Sequence, residues 1–304
     1  MEWEVQLIEW IQQSFGSFGT VFGKIFAFVG SEKGLLIALL LVLFCWKKEA
    51  GFRLGVLLSA VNSWLPMIKS AVLRPRPYMQ YPDRVEARQL VETGAAADDV
   101  AAQGYSFPSM HAASASALYF GLSREVRKKW MWIAAVLVTL CVGISRTAVG
   151  MHYPTDVLAG WALGLLGIGI FALLEKFVKK EWIRHLLVLL SALPGVFFVR
   201  TQEYYTSLGL LIGIAAVIPF ERKYVNFKDT RNIFAMILRP VLAFAIYLAL
   251  NKLMKLPFSA EFLESTRTAA FLVRTVRYAV IIFVLIGIYP KVFPLFEKIG
   301  KKKH

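Results

Sequence analysis

The chain has 304 residues, 57% of them hydrophobic, with eight Trp, 23 Phe and a formal net charge of +15. That apolar content excludes an ordinary soluble domain. The Lys and Arg fall between apolar runs instead of on one basic face, so the charge reads as membrane topology and not as nucleic-acid binding. A spanning helix takes roughly 20 residues, so the length allows about eight or nine spans and little else. Cys45 and Cys141 both lie inside apolar runs, where packing is their expected role, not a disulfide framework.

The N-terminus opens with Glu2 and Glu4 and has no basic region followed by a small-residue cleavage site, so no removable signal peptide is expected. Residues 5 to 29 mix apolar residues with Gln12, Gln13, Lys24 and several glycines, which predicts an interfacial or weakly spanning helix. Spans are predicted over 33 to 46 and about 52 to 73, with Pro75 and Pro77 stopping the second. Lys69 near its end reads, taken singly, as a snorkelling side chain. The polar stretch 74 to 106 carries a possible short helix at Arg84 to Glu92, and its Asp98 and Asp99 read as solvated acids instead of metal ligands. A small-residue helix follows Phe107-Pro108-Ser109-Met110-His111, its Ala and Ser suited to close packing. Further spans are predicted at about 130 to 144, 153 to 174, 185 to 199, 205 to 220, 233 to 251 and 271 to 289.

Counted alternately, these spans put the basic clusters at 47 to 53, 124 to 129, 176 to 184, 222 to 231 and the tail on one side, which the positive-inside rule makes cytoplasmic. The loop 74 to 106, His111 and residues 145 to 156 then share the opposite face. Arg200, Glu203, Tyr204 and Tyr205 fall there too and read as an aromatic belt with anchoring charges, the alternative being the border of a substrate entrance; Arg267, Arg274 and Arg277 approach the same face and read as snorkelling, the alternative being attraction of an anionic headgroup. His185, at the start of a span on the basic side, and His304, at the terminus, have no cluster of site-like residues around them, and no role is assigned to them.

The stretch Ser145-Arg146, five residues, His152, three residues, Asp156 is a polar island between two apolar runs. Pro154 suits the first turn of a helix, and a helix starting near His152 places Asp156 on the same face. The carboxylate can then hold one imidazole nitrogen and leave the other with a free lone pair, as a nucleophilic or basic histidine requires. Arg146 adds a fixed charge shaped to grip an oxyanion. The combination points to phosphate chemistry.

With Lys69 and Arg76-Pro77, Pro108 to His111, and Ser145 to Asp156 on one face, the chain resembles the type 2 phosphatidic acid phosphatase (PAP2) family, whose signature is K-x6-RP, PSGH and SR-x5-H-x3-D. Lys69 to Arg76 has the first spacing, which Arg74-Pro75 does not; Met110 stands where the family usually has glycine; Ser145 to Asp156 matches at every specified position. The match covers roughly residues 34 to 175. Multi-span relatives such as sphingosine-1-phosphate phosphatases and glucose-6-phosphatases are similar in layout.

The resemblance implies an all-α polytopic membrane helical bundle, a PAP2-like core with about four extra C-terminal transmembrane helices. The expected organisation is an N-terminal helix over 1–30, a catalytic membrane core over 31–180, and C-terminal helices with a basic tail over 181–304. It implies His152 as nucleophile forming a phosphohistidine, Asp156 orienting it, and His111 as general acid and then base. Lys69, Arg76 and Arg146 would bind phosphate oxygens, joined by Ser109, Ser145 and backbone N–H groups at Met110, with no metal and no cofactor. The expected partners are the bilayer and a lipid phosphate substrate: undecaprenyl diphosphate, phosphatidylglycerol phosphate, phosphatidic acid or a sphingoid-base phosphate. The expected location is a bacterial plasma membrane with the site on the extracytoplasmic side. A lipid phosphotransferase using the same phosphohistidine, a phosphatase for a soluble sugar phosphate and a non-catalytic lipid transporter are the alternative readings.

Overall fold

The computed structural model describes residues 2 to 299; Lys301, Lys302 and Lys303 of the expected basic tail, and His304, lie outside them. Among the described residues the regular structure is entirely helical. The principal helices are α1 (Glu2–Gly30), α2 (Glu32–Leu41), α3 (Lys48–Val72), α4 (Met110–Val126), α5 (Lys129–Ala148), α6 (Pro154–Phe177), α7 (Glu181–Ala192), α8 (Gln202–Phe220), α9 (Ile233–Leu253) and α10 (Thr268–Phe283). Among the described residues, six helical stretches are long and apolar enough to cross a membrane, or seven if α1 and the bent segment Glu32–Trp46 count as one span. The chain is an integral, all-α membrane protein.

Outward-facing side chains explain why these helices need lipid. On α5, Ile133, Leu137, Leu140 and Ile144 are exposed at helical spacing, while Ala135, Thr139, Val142 and Arg146 point inward. In water such a face would be a large apolar patch; in a bilayer it is the solvated side. α7, expected as a span, has only 12 residues, extended by a 3-10 turn over Leu193–Phe197. It falls short of the roughly 20 residues that a bilayer core requires.

The fold divides into two compact units, each drawn from separated stretches of chain: residues 1–35 with 65–171, and residues 36–64 with 172–304. In the first unit α5 packs against both α1 and α4. Small residues bring α6 against α4: a Cβ added at Gly160 would meet the Ser109 carbonyl oxygen at 2.6 Å, and one at Gly164 the Ala113 carbonyl oxygen at 2.5 Å. α1 is broken at Gly16, whose φ of 48° belongs to the left-handed region.

In the second unit α8 and α10 meet in the same way, with the backbone of Thr275 and Ala279 against Gly209 and Gly213. An aromatic cluster of Phe44, Phe227, Tyr289 and Phe293 lies at one end of this unit, with the Arg239 guanidinium 4.2 Å from the Phe293 ring centre. Tyr204 and Tyr205 correct the expectation of an interfacial belt. Both are buried; Tyr204 donates to the Ala192 carbonyl at 2.7 Å and Tyr205 stacks on Phe271. Arg277 does not snorkel either: it is 2% exposed and donates to Asn251 Oδ1 at 2.8 Å.

The connection after α3 also departs from expectation. Pro77 does not only stop a helix; it opens a short one, Pro77–Gln80, in the first-turn position that proline tolerates. Arg84 to Glu92 is not helical. Three of its backbone N–H groups reach partners outside the segment: Glu86 donates to Gln12 Oε1, Arg88 to the Val149 carbonyl, and Val91 to Gln103 Oε1. Asp99 is exposed, and its carboxylate caps Val100–Gln103 by accepting from Ala101 and Ala102 N–H.

Candidate active site

Every residue of the sequence-derived site lies in the first unit, on the ends of four helices and the loops between them. Lys69 sits in the last turn of α3, and its Nζ donates to the Tyr105 carbonyl at 2.7 Å. Arg76 is buried; its Nε donates to the Gln103 and Gly104 carbonyls and its Nη1 to the Met151 carbonyl at 3.1 Å. Thus one cation at the end of α3 and one just after it grip the loop that leads into α4.

Ser109 caps α4, accepting from Ala112 N–H, and its own N–H donates to the Asp156 carbonyl at 2.9 Å. That bond fixes the start of α4 to the first turn of α6. Met110 and His111, both half-buried, occupy the opening positions of α4, where N–H groups have no intrahelical acceptor. Substituting Met for glycine leaves the N–H in place. His111 packs near Gly30 of α1, where an added Cβ would lie 3.3 Å from its ring.

Arg146 is almost wholly buried at the end of α5, with Nη2 on the Gly23 carbonyl at 2.8 Å, Nη1 on Gln89 Oε1 at 3.3 Å and Nε on Ser145 Oγ at 3.2 Å. Ser145 Oγ in turn donates to the Val142 carbonyl. His152 sits in the bend between α5 and α6, its N–H directed at the Arg146 carbonyl at 3.3 Å. The helix begins at Pro154 and not at His152, so the imidazole approaches Asp156 from outside the helix. His152 Nδ1 stands 3.6 Å from Asp156 Oδ2, in range for charge attraction but beyond a hydrogen bond, and has no hydrogen-bond partner among the described residues.

Electrostatics tie these groups into one cluster. His111 lies in the field of Arg146, His152, Arg76 and Lys69; His152 lies in that of Arg76, Lys69 and Asp156. Burial holds the His152 imidazole down at about 3, opposed by the Asp156 carboxylate and assisted by Arg76 and Lys69. The resting imidazole is therefore neutral, with a lone pair available. Two imidazoles, three cations and a capped helix start can bind a tetrahedral oxyanion, attack it and protonate what leaves.

Sequence reasoning missed four residues around this cluster. Arg74, set aside for its spacing, donates Nη1 to Asp156 Oδ1 at 2.7 Å and Nη2 to Glu4 Oε2 at 2.8 Å. Gln89 contacts Arg146, and Gln12 fastens α1 by donating to the Glu86 and Ala148 carbonyls. A signal was present: Glu4, Ile8, Ile11 and Gln12 make one helical face of α1, and that face is buried. Polar residues on such a face need partners within the protein.

Comparison with known proteins gives two family matches: residues 35–180 to the PAP2 superfamily, and residues 205–302 to the PAP2 superfamily phosphatase, transmembrane extension. The undecaprenyl-diphosphatase of Sulfolobus acidocaldarius is 45% identical over 62 residues, 20% of this chain and 29% of that protein. Phosphatidylglycerophosphatase B of Bacillus subtilis is 38% identical over 85 residues, 25% of this chain and 40% of the relative. The lipid A 4'-phosphatase of Bacteroides thetaiotaomicron is 38% identical over 68 residues, 22% and 30% of the two chains. The chain thus spans 40% or less of each of these relatives. No solved structure matches it.

Proposed function

The chain belongs to the PAP2 superfamily, and on that footing we propose that it is an integral membrane phosphatase hydrolysing a lipid phosphate or diphosphate at the extracytoplasmic surface. The observation that carries this reading is the single cluster of buried His152, Arg76 and Arg146 with half-buried His111 and Lys69. His152 Nε2 attacks phosphorus while the bond from phosphorus to the leaving oxygen (the lipid oxygen of a monophosphate, the bridging oxygen of a diphosphate) breaks, and His111 in its protonated form gives that oxygen its proton. His111 then takes a proton from water, whose oxygen attacks the phosphohistidine; the N–P bond breaks and phosphate leaves. Asp156 stabilises the charge that His152 gains on attack. Lys69, Arg76 and Arg146, with Ser109, Ser145 and the N–H groups at Met110 and His111, hold the oxygens over which transition-state charge spreads.

The names of the three relatives all denote phosphatases of lipids, which supports a lipid substrate. The apolar exposed faces of α5 and α6 support a substrate that arrives through the bilayer. The basic clusters between the spans support an extracytoplasmic site and a plasma-membrane location. The reading needs no metal. The test is phosphate release by purified protein in detergent with EDTA, across undecaprenyl diphosphate, phosphatidylglycerol phosphate, phosphatidic acid and glucose 6-phosphate. Release from one lipid class, lost in His152→Ala, is the expected result. Release only from glucose 6-phosphate, or none, contradicts it.

A further inference from the structure

The Asp156 carboxylate has more company than one histidine requires. Its Oδ2 accepts the Tyr153 N–H at 2.8 Å and its Oδ1 accepts Arg74 Nη1 at 2.7 Å. The Arg74 guanidinium carbon lies over the Tyr153 ring, 3.8 Å from its centre, and the group continues through Nη2 to Glu4 Oε2 at 2.8 Å. Glu4 closes the circuit on Thr155, beside Asp156, whose Oγ1–H donates to Glu4 Oε1 at 2.5 Å. Asp156 and Glu4 are both essentially buried, 0% and 2% exposed. Glu4 belongs to α1, upstream of the stretch that matches the PAP2 superfamily.

Charge explains why such a chain would matter to His152. An arginine directly on Asp156 cancels the negative potential that stabilises an imidazolium, and at short range in a buried site that cancellation is strong. Glu4 on the far side of the guanidinium restores it: carboxylate, guanidinium and carboxylate together carry one net negative charge, distributed over a rigid, hydrogen-bonded frame. We propose that Glu4 and Arg74 are positioning residues of the active site, the first maintaining the net charge and the second the orientation of Asp156 toward His152. The N-terminal helix thereby becomes part of the catalytic apparatus and not merely its support. This inference rests on the proposed role of His152 as nucleophile.

The experiment compares wild type with Glu4→Gln, Arg74→Lys, Arg74→Ala, Asp156→Asn and the double variant Glu4→Gln with Asp156→Asn. It reads kcat and KM on the best lipid phosphate, the unfolding temperature in detergent, and the 15N signals of the His152 imidazole, assigned with His152→Ala. Glu4→Gln keeps the side-chain shape and an acceptor but removes the charge. It is expected to lower kcat about tenfold at unchanged KM and to shift the His152 signals. It should cost nothing further in the Asp156→Asn background, and Arg74→Lys should retain more kcat than Arg74→Ala. A fall in unfolding temperature with kcat and the His152 signals unmoved, or an equal loss of kcat in both backgrounds, overturns the inference. If wild type releases no phosphate from any probe while Glu4→Gln still shifts the His152 signals, the phosphatase reading falls and the positioning network stands.

Discussion

The proposed attack of His152 on phosphorus requires one unprotonated ring nitrogen, and its burial between α5 and α6 holds it in that form. The same burial links its protonation to stability. The unfolded chain takes a proton at this residue near its ordinary value of 6.5, whereas the folded protein resists until about 3. The fold's advantage from this residue is complete above the unfolded value and shrinks as pH falls through that window. Unfolding temperature in detergent should therefore decline from pH 6.5 toward 3, and the decline should be shallower in His152→Gln, which has no proton to bind. Arg146 poses a different test. Its three donor groups point in three directions, to Gly23, Gln89 and Ser145, and an ammonium cannot reproduce that fork. Arg146→Lys should lower kcat/KM by about two orders of magnitude, as loss of a transition-state donor does.

At the scale of elements, the site depends on how closely α6 approaches α4. Gly160 and Gly164 face the Ser109 and Ala113 carbonyls at distances that no side chain tolerates, and the Ser109 N–H is bonded to the Asp156 carbonyl across this seam. Gly164→Leu should push the helices apart and destabilise the protein by about 1–3 kcal/mol, read by unfolding temperature, with kcat falling alongside. Much of this was legible in the chain. The apolar runs gave the helices, the small residues of α4 gave its close packing, and the spacing from Ser145 to Asp156 placed the histidine beside its carboxylate. Arg84 to Glu92 was not legible because its partners, Gln12, Val149 and Gln103, are distant in sequence, and long-range bonds override local helix propensity. Arg74 was passed over for the same reason: its meaning lies in Asp156 and Glu4, which no local spacing reveals. Tyr204 and Tyr205 looked like a membrane belt because composition cannot tell an interface from the packed centre of a bundle.

For the whole molecule, the proposed orientation puts the loop around Asp98 outside the cell and the turn at Lys128 in the cytosol. In a cysteine-free background, Asp98→Cys should react with a membrane-impermeant maleimide in intact cells, and Lys128→Cys only after permeabilisation. The reverse pattern would place the site on the cytosolic face. The unit that carries the proposed site joins residues 1–35 to residues 65–171, so α1 is expected to be indispensable to it. Gln12→Ala, which strands the Ala148 carbonyl and the Glu86 N–H, should cost about 1–3 kcal/mol of stability. The central claim concerns one bond, between His152 and phosphorus. Protein mixed rapidly with 32P-labelled lipid phosphate and quenched in base should carry an acid-labile, base-stable label in wild type, more of it in His111→Ala if dephosphorylation slows, and none in His152→Ala. Undiminished phosphate release by His152→Ala, or label that persists without His152, would contradict the account.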